Sequence, residues 1–270
     1  MNVANDPVLA VAVRAARTAA SIVIDAARDL KRLPTFSKGR GELVSSADME
    51  AEDAIVATIR AAFPGHAILG EESGHIEGAR EGAGYKWIVD PIDGTVNFVH
   101  GFPYFAVSIA LVVGTEVTHA AVLDPVHDEL FTAVKGNGAF CNGATMHVST
   151  CVELAQALVG TVSPPHENPK YAAHRVTLDA VAGQCAGVRQ AGSCALDLAH
   201  LAAGRLDGFW VMNLRAWDVA AGALLVREAG GRVGDFAGGT QFLRTNEIIA
   251  AAPGVFNPLR EVIAAARPAD

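Results

Sequence analysis

Apolar residues along the first third of the chain fall into two helical patterns. Val8, Val11, Ala15, Ile22, Val23 and Ala26 recur at helical spacing, and Arg14, Arg17, Asp25 and Arg28 interrupt the run. The spacing predicts an amphipathic helix stopped by Pro34, neither a signal peptide nor a membrane span. A second helix is predicted to start at Ser45-Ser46-Ala47-Asp48, with Ser45 and Asp48 forming a capping box, and to run through Ala54, Ile55 and Ile59 to Pro64. Short β-type runs follow at 66–70, 85–90, 106–113, 119–124 and 129–134, several bounded by Gly, Pro or Asp.

Past residue 150 the rhythm changes. A strand at 157–162 alternates with helices at about 168–183, 195–203 and 217–229, and Gly204 and Gly230 stand just past the last two helices as C-cap signatures. The reading is an α/β chain built in layers: an antiparallel-rich half over residues 1–150 and a more α/β half over 151–270.

Composition narrows the class. The 270 residues are 51% hydrophobic and 19% charged, enough for a large core and too apolar for a disordered chain. A net charge of −8 argues against direct nucleic-acid binding and against an anionic membrane surface. The four cysteines, Cys141, Cys151, Cys185 and Cys194, have no C-x-x-C spacing and read as reduced thiols of a cytoplasmic protein.

The chemistry concentrates in VDPIDGTVNF, residues 89–98. The run Trp87-Ile88-Val89 delivers Asp90 to a strand end, and Pro91 is expected to stop the ladder there. Asp93-Gly94-Thr95 then turns the chain into a short helix. Asp90, Asp93, the Ile92 carbonyl and the Thr95 hydroxyl can converge on one point, an oxygen set suited to Mg²⁺. The Gly94 and Thr95 amides at the helix start favour an anion, so the pair of features reads as a phosphate-ester site. Alone, the stretch is equally an Asx turn. Glu71 in LGEESG alone is a solvated loop acid, and Asp218 in RAWD alone is a dipole-compensating cap. Together the four acids would gather about four negative charges, which needs cations, two or three Mg²⁺ per site. Thr95 with Glu71 is then placed to position and deprotonate a water.

These segments resemble the inositol monophosphatase family over nearly the whole chain. LVSSAD (43–48), LGEESG (69–74), DPIDGTVNFVHG (90–101), GSCALDLAHLAAGRLDGFW (192–210) and AWDVAAGALLVREAGG (216–231) stand in family order. The resemblance implies a five-layer αβαβα sandwich of the inositol monophosphatase and fructose-1,6-bisphosphatase type. It also implies Mg²⁺-dependent, lithium-sensitive hydrolysis of phosphate monoesters by a homodimer. By similarity, Glu71, Asp90, the Ile92 carbonyl, Asp93 and Asp218 are metal ligands. Gly94 and Thr95 hold phosphate, Thr95 also holds the attacking water, and Asp48 hydrogen-bonds Thr95. Lys38 falls near the third metal. Asp93, Ala195, Asp218 and position 211 are the substrate contacts, with Asp197 and Asp207 as further candidates.

The departures bear on substrate. Val211 stands where the family carries a glutamate that accepts hydrogen bonds from inositol hydroxyls, with Asn213 as a neighbouring substitute; Ala216 replaces a proline. The segment TVSPPHENPKY after residue 160 is also altered, and His166 within it reads as a solvated loop residue. The expected activity is on inositol 1-phosphate and small polyol or sugar phosphates. The alternatives are a 3′-phosphonucleotide, NADP, fructose 1,6-bisphosphate or histidinol phosphate. FAVSIAL (105–111) and DELFTA (128–133) resemble most the bacterial extragenic suppressor branch, associated with RNA polymerase antitermination complexes; a partner role with incidental catalysis is the third expectation.

Overall fold

A computed structural model describes residues 6–39 and 42–267, without the side chains of residues 37–39, 42 and 43, so the Lys38 side chain lies outside the described residues. Helix α1 (Pro7–Ala27), a hairpin of β1 (Thr35–Gly39) and β2 (Glu42–Ser45), and helix α2 (Ser46–Ala62) come first. The two helices pack on each other and on one face of an eight-stranded sheet. That sheet holds β3 (Ala67–Gly70), β4 (Gly74–Ile76), β5 (Tyr85–Asp93), β6 (Ala106–Val113), β7 (Glu116–Asp124), β8 (Glu129–Val134), β9 (Ala139–Cys141) and β10 (Ala144–Thr145). Its order is β10-β9-β8-β7-β6-β5-β3-β4, and only the β3–β5 pair is parallel. Helix α3 (Thr95–Val99) follows β5 directly.

The second sheet is mixed. It contains β11 (Leu158–Thr161), β12 (Gly187–Arg189), β13 (Gly208–Met212), β14 (Arg232–Gly234) and β15 (Glu247–Ala251), in the order β12-β11-β13-β15-β14. Helices α4 (Tyr171–Ala182) and α8 (Pro253–Ala266) cover its outer face; α5 (Cys194–Ala202) and α6 (Ala216–Glu228) lie between the two sheets, and α7 (Phe242–Thr245) is a single turn. The result is the five-layer αβαβα sandwich expected from the sequence. The central layer explains why α6 lacks a polar side: every residue from Val219 to Val226 is buried, because a helix between two sheets has no face toward water. One core cluster joins Ile88, Val122 and Phe131 of the large sheet through Leu198 and Leu225 to Phe209 and Ile248 of the small one.

By length and composition α1 could cross a bilayer. Here its apolar stripe from Val11 through Ala15, Ala16 and Ala19 to Val23 is buried in the core, while Arg14, Arg17 and Asp25 stay exposed. The helix ends at Ala27, not at Pro34, because none of residues 28–36 is buried to support another turn. The predicted capping box of α2 is present: Asp48 Oδ2 accepts both the Ser45 backbone N–H at 2.8 Å and its hydroxyl at 2.6 Å. Strands β6 and β8 match their predicted ranges residue for residue. Gly204 and Gly230 follow α5 and α6 with φ of 71° and 88°, the left-handed conformation that glycine adopts without penalty. All four cysteines are free.

Candidate active site

Strand β5 corrects the expectation at Pro91. The ladder does not stop there but shifts: Asp90 pairs with Ser108 and Asp93 with Ala106, so three steps on β5 oppose two on β6. This bulge absorbs Pro91, which has no N–H to give, and re-aims the residues on either side of it. Asp90 Oδ1 accepts the Ile92 N–H at 3.0 Å, closing the turn. Gly94 then takes φ 98°, and a Cβ there would sit 3.1 Å from the Tyr104 carbonyl oxygen and 3.2 Å from that of Gly192, so only glycine fits this crossing.

Asp93 is gripped from the other half of the chain. Its Oδ2 accepts the Ser193 hydroxyl and, at 2.7 Å, the Ala195 N–H at the start of α5. Ala195 itself is fully buried and is not among the residues that line the cavity, and the N–H expected to approach a substrate donates to Asp93 here.

Thr95 opens α3 with one hydroxyl proton and two acceptors in reach, the Ile92 carbonyl at 3.0 Å and Asp48 Oδ1 at 3.2 Å. Asp48 therefore divides its oxygens between the cap of α2 and Thr95. Burial pushes its carboxyl above the usual range. One turn further along α2, Glu52 is a residue the motif reading missed. Its oxygens accept the backbone N–H groups of Glu72 at 2.9 Å and Ser73 at 2.7 Å, holding the turn that carries Glu71. An acid on the buried stripe of α2 beside Ala47, Ala51 and Ile55 was the available sign. Gly70 leaves room for the same contact, since a Cβ there would come within 2.4 Å of the Glu52 carboxylate and push it off these N–H groups.

Asp218 enters from α6, its Oδ2 accepting the Arg215 N–H at 2.6 Å. Carboxylate oxygens of Asp90, Asp93 and Asp218 all lie within 4.8 Å of one another. Burial, followed by the charges of Glu71, Asp93 and Asp218, drives the Asp90 carboxyl well up. Burial raises Asp93 to about 6 against the opposing hydrogen bonds of Ser193 and Ala195. Burial and then the Asp93 charge raise Asp218 to about 8. Among the described residues no Lys or Arg makes an ion pair with these three. An all-oxygen donor set that repels itself fits a hard divalent cation.

The cluster opens into a cavity of about 550 Å³. Glu71, Thr95 and Asp218 line it together with Val211, Asn213 and Arg215. Val211 reaches that wall from β13 although little of it is exposed, and Asn213 next to it adopts a left-handed φ of 67°. Asp197 does not face the cavity. It accepts the Tyr104 hydroxyl at 2.6 Å, and burial raises its carboxyl to about 8. Asp207 is a structural tie that accepts the Ser149 hydroxyl and the Leu158 N–H. His166 is exposed and packs on Tyr171.

Comparison with known proteins agrees with this geometry. The inositol monophosphatase family profile matches residues 4–268. The protein named Nus factor SuhB of Pseudomonas aeruginosa is 47% identical over 262 residues, covering 95% of this chain and 96% of that one. Inositol-1-monophosphatase of Rhizobium meliloti is 44% identical over 235 residues, covering 87% of this chain and 88% of that protein. The crystal structure of extragenic suppressor protein suhB from Bartonella henselae superposes with a TM-score of 0.92 at 40% identity, covering 96% of this chain and 98% of that one. With its five layers and its acidic cluster at the end of β5, the chain belongs to the inositol monophosphatase family and has that family's phosphomonoesterase character.

Proposed function

We propose that the protein is a Mg²⁺-dependent phosphomonoesterase acting on inositol 1-phosphate and related small polyol or sugar phosphates. The observation that carries this reading is the meeting of Asp90, Asp93 and Asp218 within 4.8 Å, beside the Thr95–Asp48 hydrogen bond and at the edge of a cavity large enough for a sugar phosphate.

Asp90, Asp93, Asp218, Glu71 and the Ile92 carbonyl would hold two or three ions. Bound Mg²⁺ supplies positive charge for phosphoryl oxygens and the leaving alkoxide. The Gly94 and Thr95 amides face the phosphate. Thr95 Oγ accepts a proton from the attacking water and passes its own to Asp48 Oδ1, whose second oxygen stays fixed by Ser45. The raised carboxyl of Asp48 suits a group that must take up a proton. Asp93 orients the reacting ester because Ser193 and Ala195 fix its other oxygen.

The test is Mg²⁺-dependent phosphate release from myo-inositol 1-phosphate beside 3′-phosphonucleotide, sugar and polyol phosphates, with Asp93→Asn as the blank. Release that needs Mg²⁺ and Asp93 supports the reading; release by Asp93→Asn at the parent rate removes Asp93 from the mechanism. Millimolar Li⁺ is expected to inhibit.

Arg215 on the cavity wall favours a second reading, a substrate with a second anionic group such as fructose 1,6-bisphosphate, NADP or a 3′-phosphonucleotide, and the same panel decides between them. Relatives named Nus factor support a further role through an antitermination or RNA polymerase partner. Co-purification with RNA polymerase by the parent and by Asp93→Asn would show whether that role needs the metal cluster. A homodimer in the cytoplasm is part of this proposal.

A further inference from the structure

Ser163 lines the cavity from the segment after β11, on the same cavity as Val211 of β13. Its placement is fixed from three sides. Thr161, two residues earlier, donates its hydroxyl to the Trp210 carbonyl at 2.7 Å, which pins the end of β11 to β13. Pro164 and Pro165 follow and restrict the backbone. Behind Ser163 lies His174 of α4, fully buried, its Nε2 3.0 Å from the Ser163 Oγ and its ring stacked on Trp210.

The protons of this group can be assigned. Ser163 donates its hydroxyl proton to Gln190 Oε1 at 2.6 Å. His174 must then carry its proton on Nε2 and donate to Ser163, which leaves Nδ1, buried without a partner, as a bare acceptor. The other tautomer would bury an unpaired N–H, the costlier orphan. Burial keeps the ring neutral, its pKa lowered to about 4. Having given one hydrogen bond and received one, Ser163 Oγ retains a lone pair that can face the cavity.

We infer that Ser163, oriented by His174 and Gln190, is the specificity-determining acceptor for a substrate hydroxyl, supplying from the β11 side a hydrogen bond that Val211 cannot. The inference rests on the phosphomonoesterase reading and narrows its substrate class to esters whose alcohol half carries a free, neutral hydroxyl near the phosphate. His174 is a positioning residue: it decides which way the Ser163 lone pair points and touches no substrate.

The experiment compares myo-inositol 1-phosphate with phenyl phosphate, which has no free hydroxyl on its organic half. Ser163→Ala, an exposed substitution, is expected to raise KM for the inositol ester about five- to tenfold, with kcat little changed and phenyl phosphate unaffected. His174→Leu is expected to reproduce that split, and His174→Gln, which returns an N–H near the Nε2 position, to restore the parent KM. Equal losses on both esters, or no loss on either, would overturn the inference. Parent protein that releases phosphate from neither ester sinks the phosphatase reading separately. In that case the comparison is read by calorimetric titration with the two esters: weakened binding of the inositol ester alone in Ser163→Ala upholds the Ser163 subsite, and unchanged binding refutes it.

Discussion

Thr95 of α3 stands 3.2 Å from Asp48 of α2, a hydrogen bond between residues 47 apart in sequence that joins the helix after β5 to the outermost layer. Ser45 holds the other oxygen of Asp48, so the capping box fixes the carboxylate with Oδ1 toward Thr95.

Asp48→Asn tests the proton path from Thr95 to Asp48. The amide cannot take up a proton, and kcat should fall about 10²- to 10⁴-fold with KM little changed. Loss of the carboxylate cap should cost about 0.5–2 kcal/mol of stability, visible in thermal unfolding. A variant with parental kcat would leave Asp48 with a capping role only.

Glu52→Gln tests the support of the Glu71 turn. Its NH₂ group would face one of the two backbone N–H donors, Glu72 or Ser73, that the carboxylate now satisfies. A loss of about 1–3 kcal/mol in stability is expected, together with a raised Mg²⁺ requirement for turnover. An unchanged Mg²⁺ titration would separate the turn from the metal site.

Metal-free protein should lose stability as pH rises. Asp93 at about 6 and Asp218 at about 8 hold protons in the native state that the unfolded chain, near 3.8, has already released. Between about pH 4 and 8 the native state therefore binds more protons, and stability falls across that window. Mg²⁺ favours the deprotonated cluster, so the rise in Tm on adding it should be larger at pH 8 than at pH 6. Melting curves in chelator and in Mg²⁺ measure this, and a pH-independent Mg²⁺ effect would contradict it.

Val211→Glu places an acceptor on the cavity wall. It should raise kcat/KM for inositol 1-phosphate relative to a simple phosphomonoester by about 1–3 kcal/mol of discrimination if the hydroxyl lies within reach. An unchanged ratio with intact Tm would show that this wall does not meet the sugar.

Local order alone set much of this protein. The periodicity of α1 and α2, the Ser45–Asp48 capping box, the extents of β6 and β8 and the glycines after α5 and α6 depend on residues a few positions apart, and all stand in the structure where the spacing puts them. Ordered motifs likewise carried the layered fold and the acidic chemistry. Strands β13 and β15 were not legible because, buried between covering layers, they lose the polar alternation that marks a strand; β12 and β14 are three-residue edge strands too short to show one, and Pro258 inside α8 reads as a helix break. Only tertiary packing decided that Pro91 would sit in a bulge, that Ser193 and Ala195 would grip Asp93, that Glu52 would hold the turn of Glu71, and that Ser163 would lie in front of a buried His174. Each of these pairs joins segments from different elements. Which segments meet is fixed by how whole helices and sheets bury their apolar faces against one another, and no spacing along the chain encodes that contact by itself.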